Sequence, residues 1–336
     1  MTGQWNTQRN SSCHALDEPS RLIAVLPALL GFAPRDSLVV VTLTARPPKQ
    51  VGYVLRVDLD GLTDETLARI RPLLAVEAEE SGTGDFALVV LGGGKRSDYL
   101  ALCARFVERA LPFGSRLSMA SCAASTGPGA VWQSLIGPRA HGFVADPRAL
   151  PAYAAGVLRG DVLAHSREQL RELLEPHKRD QGRTLLAMRR LTRDGLFRRS
   201  GVAAAAVSEM LEAIRLPQRP AQLAPEQAAR FAVALGERGL RNRLISATVE
   251  AAETGLGGAE LLWSRLVPAL PDAERAEAAV LLALAWYARG RGAAARVALE
   301  TALDAAPGHE LAQLLEACLF TGVRPSALRV LVQRGG

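Results

Sequence analysis

Cysteine is scarce in this chain. Four residues in 336, Cys13, Cys103, Cys122 and Cys318, lie far apart with no pair at metal-ligand spacing, which argues against a disulfide framework and a zinc site. A reducing compartment, the cytoplasm, is the expected home. Histidine is nearly as rare: His14, His141, His165, His177 and His309 form no H-x-x-x-H or H-E-x-x-H pattern, so no helix-borne metal site is expected. The G-x-S-x-G elbow is missing as well, and with it the usual hydrolase nucleophile. No apolar run approaches the roughly 20 residues that cross a bilayer. The longest candidate, AEAAVLLALAWYA, is Ala-rich and flanked by charges. Residues 22 to 33, LIAVLPALLGFA, follow a polar leader containing Asp17 and Glu18 and contain Pro27, so they do not read as a signal peptide. Neither a cofactor, nor a metal, nor a membrane contact is expected.

What is present suffices for two domains, with 49% hydrophobic and 22% charged residues. The expected division is a polar arm over 1–20, a sheet-and-helix domain over 21–145 and an all-helical domain over 146–336. Residues 38 to 43, LVVVTL, form a continuous apolar run of the kind buried on both faces, and 51 to 59 alternate with period two. The short turn-rich link between them predicts a hairpin. A helix capped by Asp64 follows, carrying Leu67, Ile70 and Leu74 at helical spacing, with Pro72 expected to strain or shorten it. FALVVL at 86 to 91 reads as another buried strand, stopped by Gly92, Gly93 and Gly94. A helix from about Ser97 presents Leu100, Cys103, Phe106 and Val107 on one face. Weaker strands at 116 to 122 and 130 to 136 flank a Gly127-Pro128-Gly129 turn. The order β-β-α-β-α-β-β gives an α+β or α/β domain with a mixed sheet and flanking helices.

From about Pro151 the strand-like runs stop, and Ala, Leu, Arg and Glu dominate segments of helical length. Residues 283 to 307 resemble part of a tetratricopeptide unit, with Trp286 and Tyr287, a turn at Gly290, small residues at Ala294 and Ala298, and a closing Pro307. One such unit makes a helical hairpin rather than a solenoid. Trp263, Trp286 and Tyr287 sit at apolar helical spacing and are expected in the core.

Several clusters could carry chemistry. GGGK at 92 to 95 lies between a strand and a helix, where backbone amides and Lys95 could cradle a phosphate, although it matches neither phosphate-loop pattern. Arg56 and Asp58 stand on one face of the second strand, either as an ion pair or as part of a polar site. Asp58, Asp60, Gly61 and Asp64 do not make a calcium loop, because the register puts Arg56 and Leu67 at ligand positions. The tight knot APRDS contributes Arg35, Asp36 and Ser37. Together Arg35, Asp36, Ser37, Arg56, Asp58 and Lys95 are the candidate contacts for a small anion such as a nucleotide or phosphometabolite, provided their strand ends lie along one edge of the sheet. The knot has a purely structural reading too: Gly31 ends a helix in the left-handed conformation, Phe32 packs back, Pro34 fixes a turn, and Asp36 or Ser37 bonds neighbouring amides.

Charge supplies a last candidate. The net charge is +6, and the one local basic concentration runs from 171 to 199. It includes Lys178, Arg179, Arg189, Arg190, Arg193, Arg198 and Arg199, candidate contacts for the backbone of nucleic acid. The overlapping stretch LFRRSGVAAAAVSEML, 196 to 211, resembles a bacterial helix-turn-helix in its packing positions Gly201, Val207 and Leu211. Its reading surface would offer only Ala204, Ala205 and Glu209, which cannot read bases.

LIAVLPALLGFAPRDSLVVV, VLRVDL, GDVLAHSREQLRELLEP and AVLLALAWYARGRGAAARVALETALDAAPGHELAQLLEACLFTGVRP together resemble the actinobacterial family called domain of unknown function 4192. The resemblance covers nearly the whole chain and implies no activity, cofactor or partner. Relatives tend to carry a cysteine before the SREQL-like piece, whereas AVWQSLIGPRAHGF here has none, so a metal or redox role for that segment does not transfer. The functional expectation is a non-catalytic protein-interaction or regulatory module with a protein partner. A small-anion protein or enzyme using the N-terminal domain is the alternative, and nucleic-acid contact through 178–199 a further one.

Overall fold

The computed structural model describes residues 18–43, 51–81, 84–150, 164, 166–193, 201–215, 223–255, 257–321 and 323. The chain divides into two compact units, Met1–Val157 and Leu158–Gly336.

The first unit is a six-stranded mixed sheet in the order β2-β1-β3-β4-β5-β6. Helix α1 (Pro19–Leu30) opens it, with Pro19 at a position where a missing amide costs nothing. Strands β1 (Ser37–Leu43) and β2 (Val51–Asp58) pair antiparallel. Helix α2 (Asp64–Ser81) leads to β3 (Asp85–Leu91), and α3 (Arg96–Arg109) leads to β4 (Arg116–Ala123), parallel to β3. Because β1 is antiparallel to both β2 and β3, the strands β2, β3 and β4 all point the same way, and the β2-α2-β3 connection crosses over β1. Side-chain parity then sets the layers. Leu38 and Val40 of β1, Phe86, Leu88 and Val90 of β3, and Ala120 and Cys122 of β4 share one core cluster with Leu67, Ile70 and Leu74 of α2 and Leu102, Cys103 and Phe106 of α3. Val39, Val41 and Val89, of opposite parity, are equally buried on the second face. This answers the β1 sequence: a strand buried on both sides has no polar face to alternate with.

The structure adds to the sequence expectations at two places. Helix α2 runs through Pro72 for 18 residues; proline forfeits one backbone bond there, while Leu67, Ile70 and Leu74 anchor the helix on both sides of it. The strand expected over 130 to 136 is β5 (Val131–Ser134), which ends two residues sooner, and a sixth strand outside that range, β6 (His141–Phe143), follows it. The break follows from Ser134, whose hydroxyl donates to the Pro138 carbonyl at 2.9 Å and accepts from the Ala140 amide at 2.9 Å, closing a turn that also uses Gly137 at φ 71°.

The regular elements described in the second unit are helices, among them α4 (Arg167–Leu173), α5 (Lys178–Arg193), α6 (Val202–Arg215), α7 (Pro225–Leu235), α8 (Arg238–Glu253), α9 (Gly258–Leu266), α10 (Asp272–Ala288), α11 (Gly292–Ala305) and α12 (Glu310–Phe320). Helices α10 and α11 pack closely against each other. Trp263, Trp286, Tyr287, Ala294 and Ala298 are all buried. Cys103 and Cys122 share the core cluster of the first unit and Cys318 is buried in the second. Burial, and after it the Cys122 thiol, push the Cys103 thiol up to about 11, so it stays protonated and packs as an apolar side chain. No described helix is long and apolar enough to cross a membrane.

Candidate functional site

The sheet brings the six candidate anion contacts to one edge. Ser37 at the start of β1 lies opposite Asp58 at the end of β2 and Leu91 at the end of β3, and the glycine turn and Lys95 follow directly. The Asp36 carbonyl accepts the Leu59 amide at 2.9 Å. A β-carbon on Gly92 would stand 3.0 Å from Asp36 Oδ1 and 2.9 Å from Tyr99 Oη, so the APRDS knot and the GGGK turn are neighbours. Tyr99 Oη accepts the Gly94 amide at 2.7 Å, which removes one donor from the turn. Arg35, Asp36 and Lys95 are exposed.

Arg56 is directed into the fold instead. Its Nε donates to Ser37 Oγ at 2.9 Å, its terminal nitrogens bind the Asp58 carboxylate, and one of them reaches the Arg35 carbonyl at 3.5 Å. The guanidinium also lies 5.6 Å from the centre of the Phe32 ring, within cation–π range. Ser37 Oγ donates back to the Arg35 carbonyl instead of accepting from an amide as expected, and Asp36 uses its backbone carbonyl. Gly31 adopts φ 88° and its amide closes on the Pro27 carbonyl, the predicted left-handed helix end. Arg56 thus clamps the knot between α1 and β1 onto β2. A concavity of about 210 Å³ is lined by Pro19, Ser118, Met119, Trp132 and Ser134 among others and includes none of the six residues.

The clamp makes a testable distinction. Arg56→Leu is expected to cost about 2–3 kcal/mol in urea unfolding, the worth of charge-assisted bonds to a group only 11% exposed. Asp58→Ala, at a carboxylate 59% exposed, is expected to cost under about 1 kcal/mol. Equal losses would contradict the assignment.

The basic stretch resolves into a surface. Helix α5 buries Thr184 and Ala187 and packs on α7 and on the short turn of 3-10 helix Val267–Ala269. The Gln181 side chain ties it to the Leu270 carbonyl at 2.7 Å. Lys178, Arg179, Arg183, Arg189, Arg190 and Arg193 are all exposed. At 3.6 residues per turn they fall within about 140° of arc. The one acidic residue of the helix, Asp180, projects on the opposite side beside His177 at 3.6 Å. Among the described residues none of the six cations forms an ion pair. Arg183 was not among the expected contacts, although helical spacing alone places it on the same arc. Arg198 and Arg199 lie outside the described residues.

The helix-turn-helix resemblance fares differently. Gly201, at φ 64°, precedes α6, and Val207 is buried as a packing residue. Glu209 faces α7, binding Arg230 at 3.1 Å and the Gln227 amide, so it is no reader of bases. The described residues hold no cluster of three His, Cys, Asp or Glu side chains suited to a metal ion.

No curated protein and no solved structure matches this chain. One family model does, over residues 19–326, from α1 past α12 and so across both units. The chain belongs to that family, described as a domain of unknown function (DUF4192).

Proposed function

We propose that this protein is a non-catalytic interaction module whose helical unit holds a polyanionic partner on the outer face of α5. The observation that carries the reading is the segregation of charge on that helix: six exposed cations on one arc, with its single carboxylate turned away. Cations spread by mutual repulsion gain from a partner that carries closely spaced negative charge, and binding releases the partner's condensed counterions. Five of the six are arginines, whose planar fork suits phosphate and sulfate oxygens. Binding of this kind needs no catalytic group.

The full chain should therefore be retained on immobilised heparin at low salt and leave in a salt gradient. Arg179→Glu with Arg190→Glu, both at exposed positions, should leave at clearly lower salt with an unchanged circular dichroism spectrum. Flow-through of the unaltered protein, or co-elution of the double variant with it, would refute the reading.

A further inference from the structure

Resting on that reading, we infer that the polyanion is duplex nucleic acid, held by its phosphates alone, with α5 lying across a groove and one group of cations on each wall. The spacing of the charges along the helix is the reason. At about 1.5 Å rise per residue, Lys178, Arg179 and Arg183 occupy the first ~8 Å of the helix and Arg189, Arg190 and Arg193 the last ~6 Å. Between Arg183 and Arg189 lies a gap of about 9 Å without charge. On the exposed arc this gap, and the turn before it, present Gly182 and Leu186. The centres of the two groups stand about 16 Å apart, which spans a major groove about 12 Å wide.

A polyanion with one row of charges would be matched by evenly spaced cations. Two rows with an uncharged floor match two groups with an uncharged middle. Gly182 has open space where a β-carbon would stand, so of the two uncharged positions on the arc only Leu186, 57% exposed, puts a side chain between the walls.

The same middle fixes the mode of contact. Neither glycine nor leucine side chains donate to or accept from a base edge, so the contacts are to phosphate and carry no sequence preference. Other polyanions fit less well. Single strands are held by aromatic side chains on which bases stack, and α5 has none. An anionic bilayer takes up the apolar side of an amphipathic helix, and here Thr184 and Ala187 are buried, which leaves only Leu185 and Leu186 as exposed large apolar side chains of α5. An acidic protein segment is the remaining competitor, and for it the half-exposed Leu186 would be a contact.

The test compares the full chain against a random-sequence duplex, the corresponding single strand and polyglutamate by fluorescence anisotropy across a salt series. Six phosphate contacts predict a log–log salt slope of about −5 on the duplex and a loss of roughly 10³ in affinity between about 50 and 200 mM salt. Neutralising either triplet, K178Q/R179Q/R183Q or R189Q/R190Q/R193Q, should halve that slope, and Leu186→Ala should leave duplex affinity within about twofold. Duplex affinity roughly tenfold or more above both other probes supports the assignment. Single strand or polyglutamate binding as tightly as duplex, or Leu186→Ala weakening binding strongly, overturns the duplex assignment and leaves polyanion binding standing. Absence of binding to all three probes at the lowest salt overturns both.

Discussion

Glu260→Ala is expected to destabilise the helical unit by about 3–5 kcal/mol, the cost of removing one partner from a buried charge cluster. Glu260, on α9, is 1% exposed, and its two oxygens bind Arg289 at 2.5 Å and Arg291 at 2.9 Å, side chains 7% and 5% exposed. These arginines flank the turn between α10 and α11, where Gly290 takes φ 74° and the Arg291 amide reaches back to the Trp286 carbonyl at 2.8 Å. One carboxylate therefore pins a turn that α9 does not adjoin in sequence. Deleting it removes a buried counter-charge that both cations share. Glu260→Gln keeps the shape and should lose less. Urea unfolding followed by circular dichroism measures the difference. A loss below about 1 kcal/mol for the alanine variant would mean that water reaches the cluster.

Trp263→Ala should cost a comparable amount, about 3–5 kcal/mol, because the indole is fully buried and leaves a large cavity. A second variant separates packing from hydrogen bonding. Trp263 Nε1 donates to Thr248 Oγ1 of α8 at 3.0 Å, and Thr248 is itself fully buried. Trp263→Phe fills much of the space but orphans that hydroxyl, at about 1–3 kcal/mol. Adding Thr248→Val should recover part of the loss, since replacing both partners by apolar groups is nearly neutral. If the double variant is less stable than Trp263→Phe alone, the bond is not the source of the deficit. Gly258, at the start of the same helix, is constrained in another way: a β-carbon there would fall on the Ala213 and Ile214 carbonyls of α6. Nine residues of α9 thus meet α6, α8 and α10.

Local signals carried the strands and most helix ends. LVVVTL announces a strand buried on both faces because continuous branched apolar residues leave no solvated side. Gly31 announces a helix end because only a residue without a β-carbon takes the left-handed conformation there at no cost. The outer face of α5 was legible in the same way, since a period of 3.6 residues decides which side chains share an arc. The sheet edge was legible only in part. That Arg56 and Asp58 share a strand face follows from parity, but that the Arg56 donors are turned onto Ser37 and the Arg35 carbonyl depends on β1 lying beside β2. The strand over 130 to 136 was legible as β5, but its partner β6 was not, because the turn closed by the Ser134 hydroxyl leaves no mark in hydrophobic periodicity.

By itself, the sequence determined what local physics can fix: strand and helix periods, caps, the change from a sheet-bearing to a helical half, and the segregation of cations along α5. Only the tertiary structure decided that the β2-α2-β3 connection passes over β1, that the ends of β2 and β3 meet the APRDS knot, and that Glu260 is a buried counter-ion rather than a solvated helix residue. The physical reason is the same in each case. Periodicity and capping depend on neighbours within a turn or two of chain, whereas the desolvation of a charge and the partner of a hydrogen bond depend on which distant segments pack beside it.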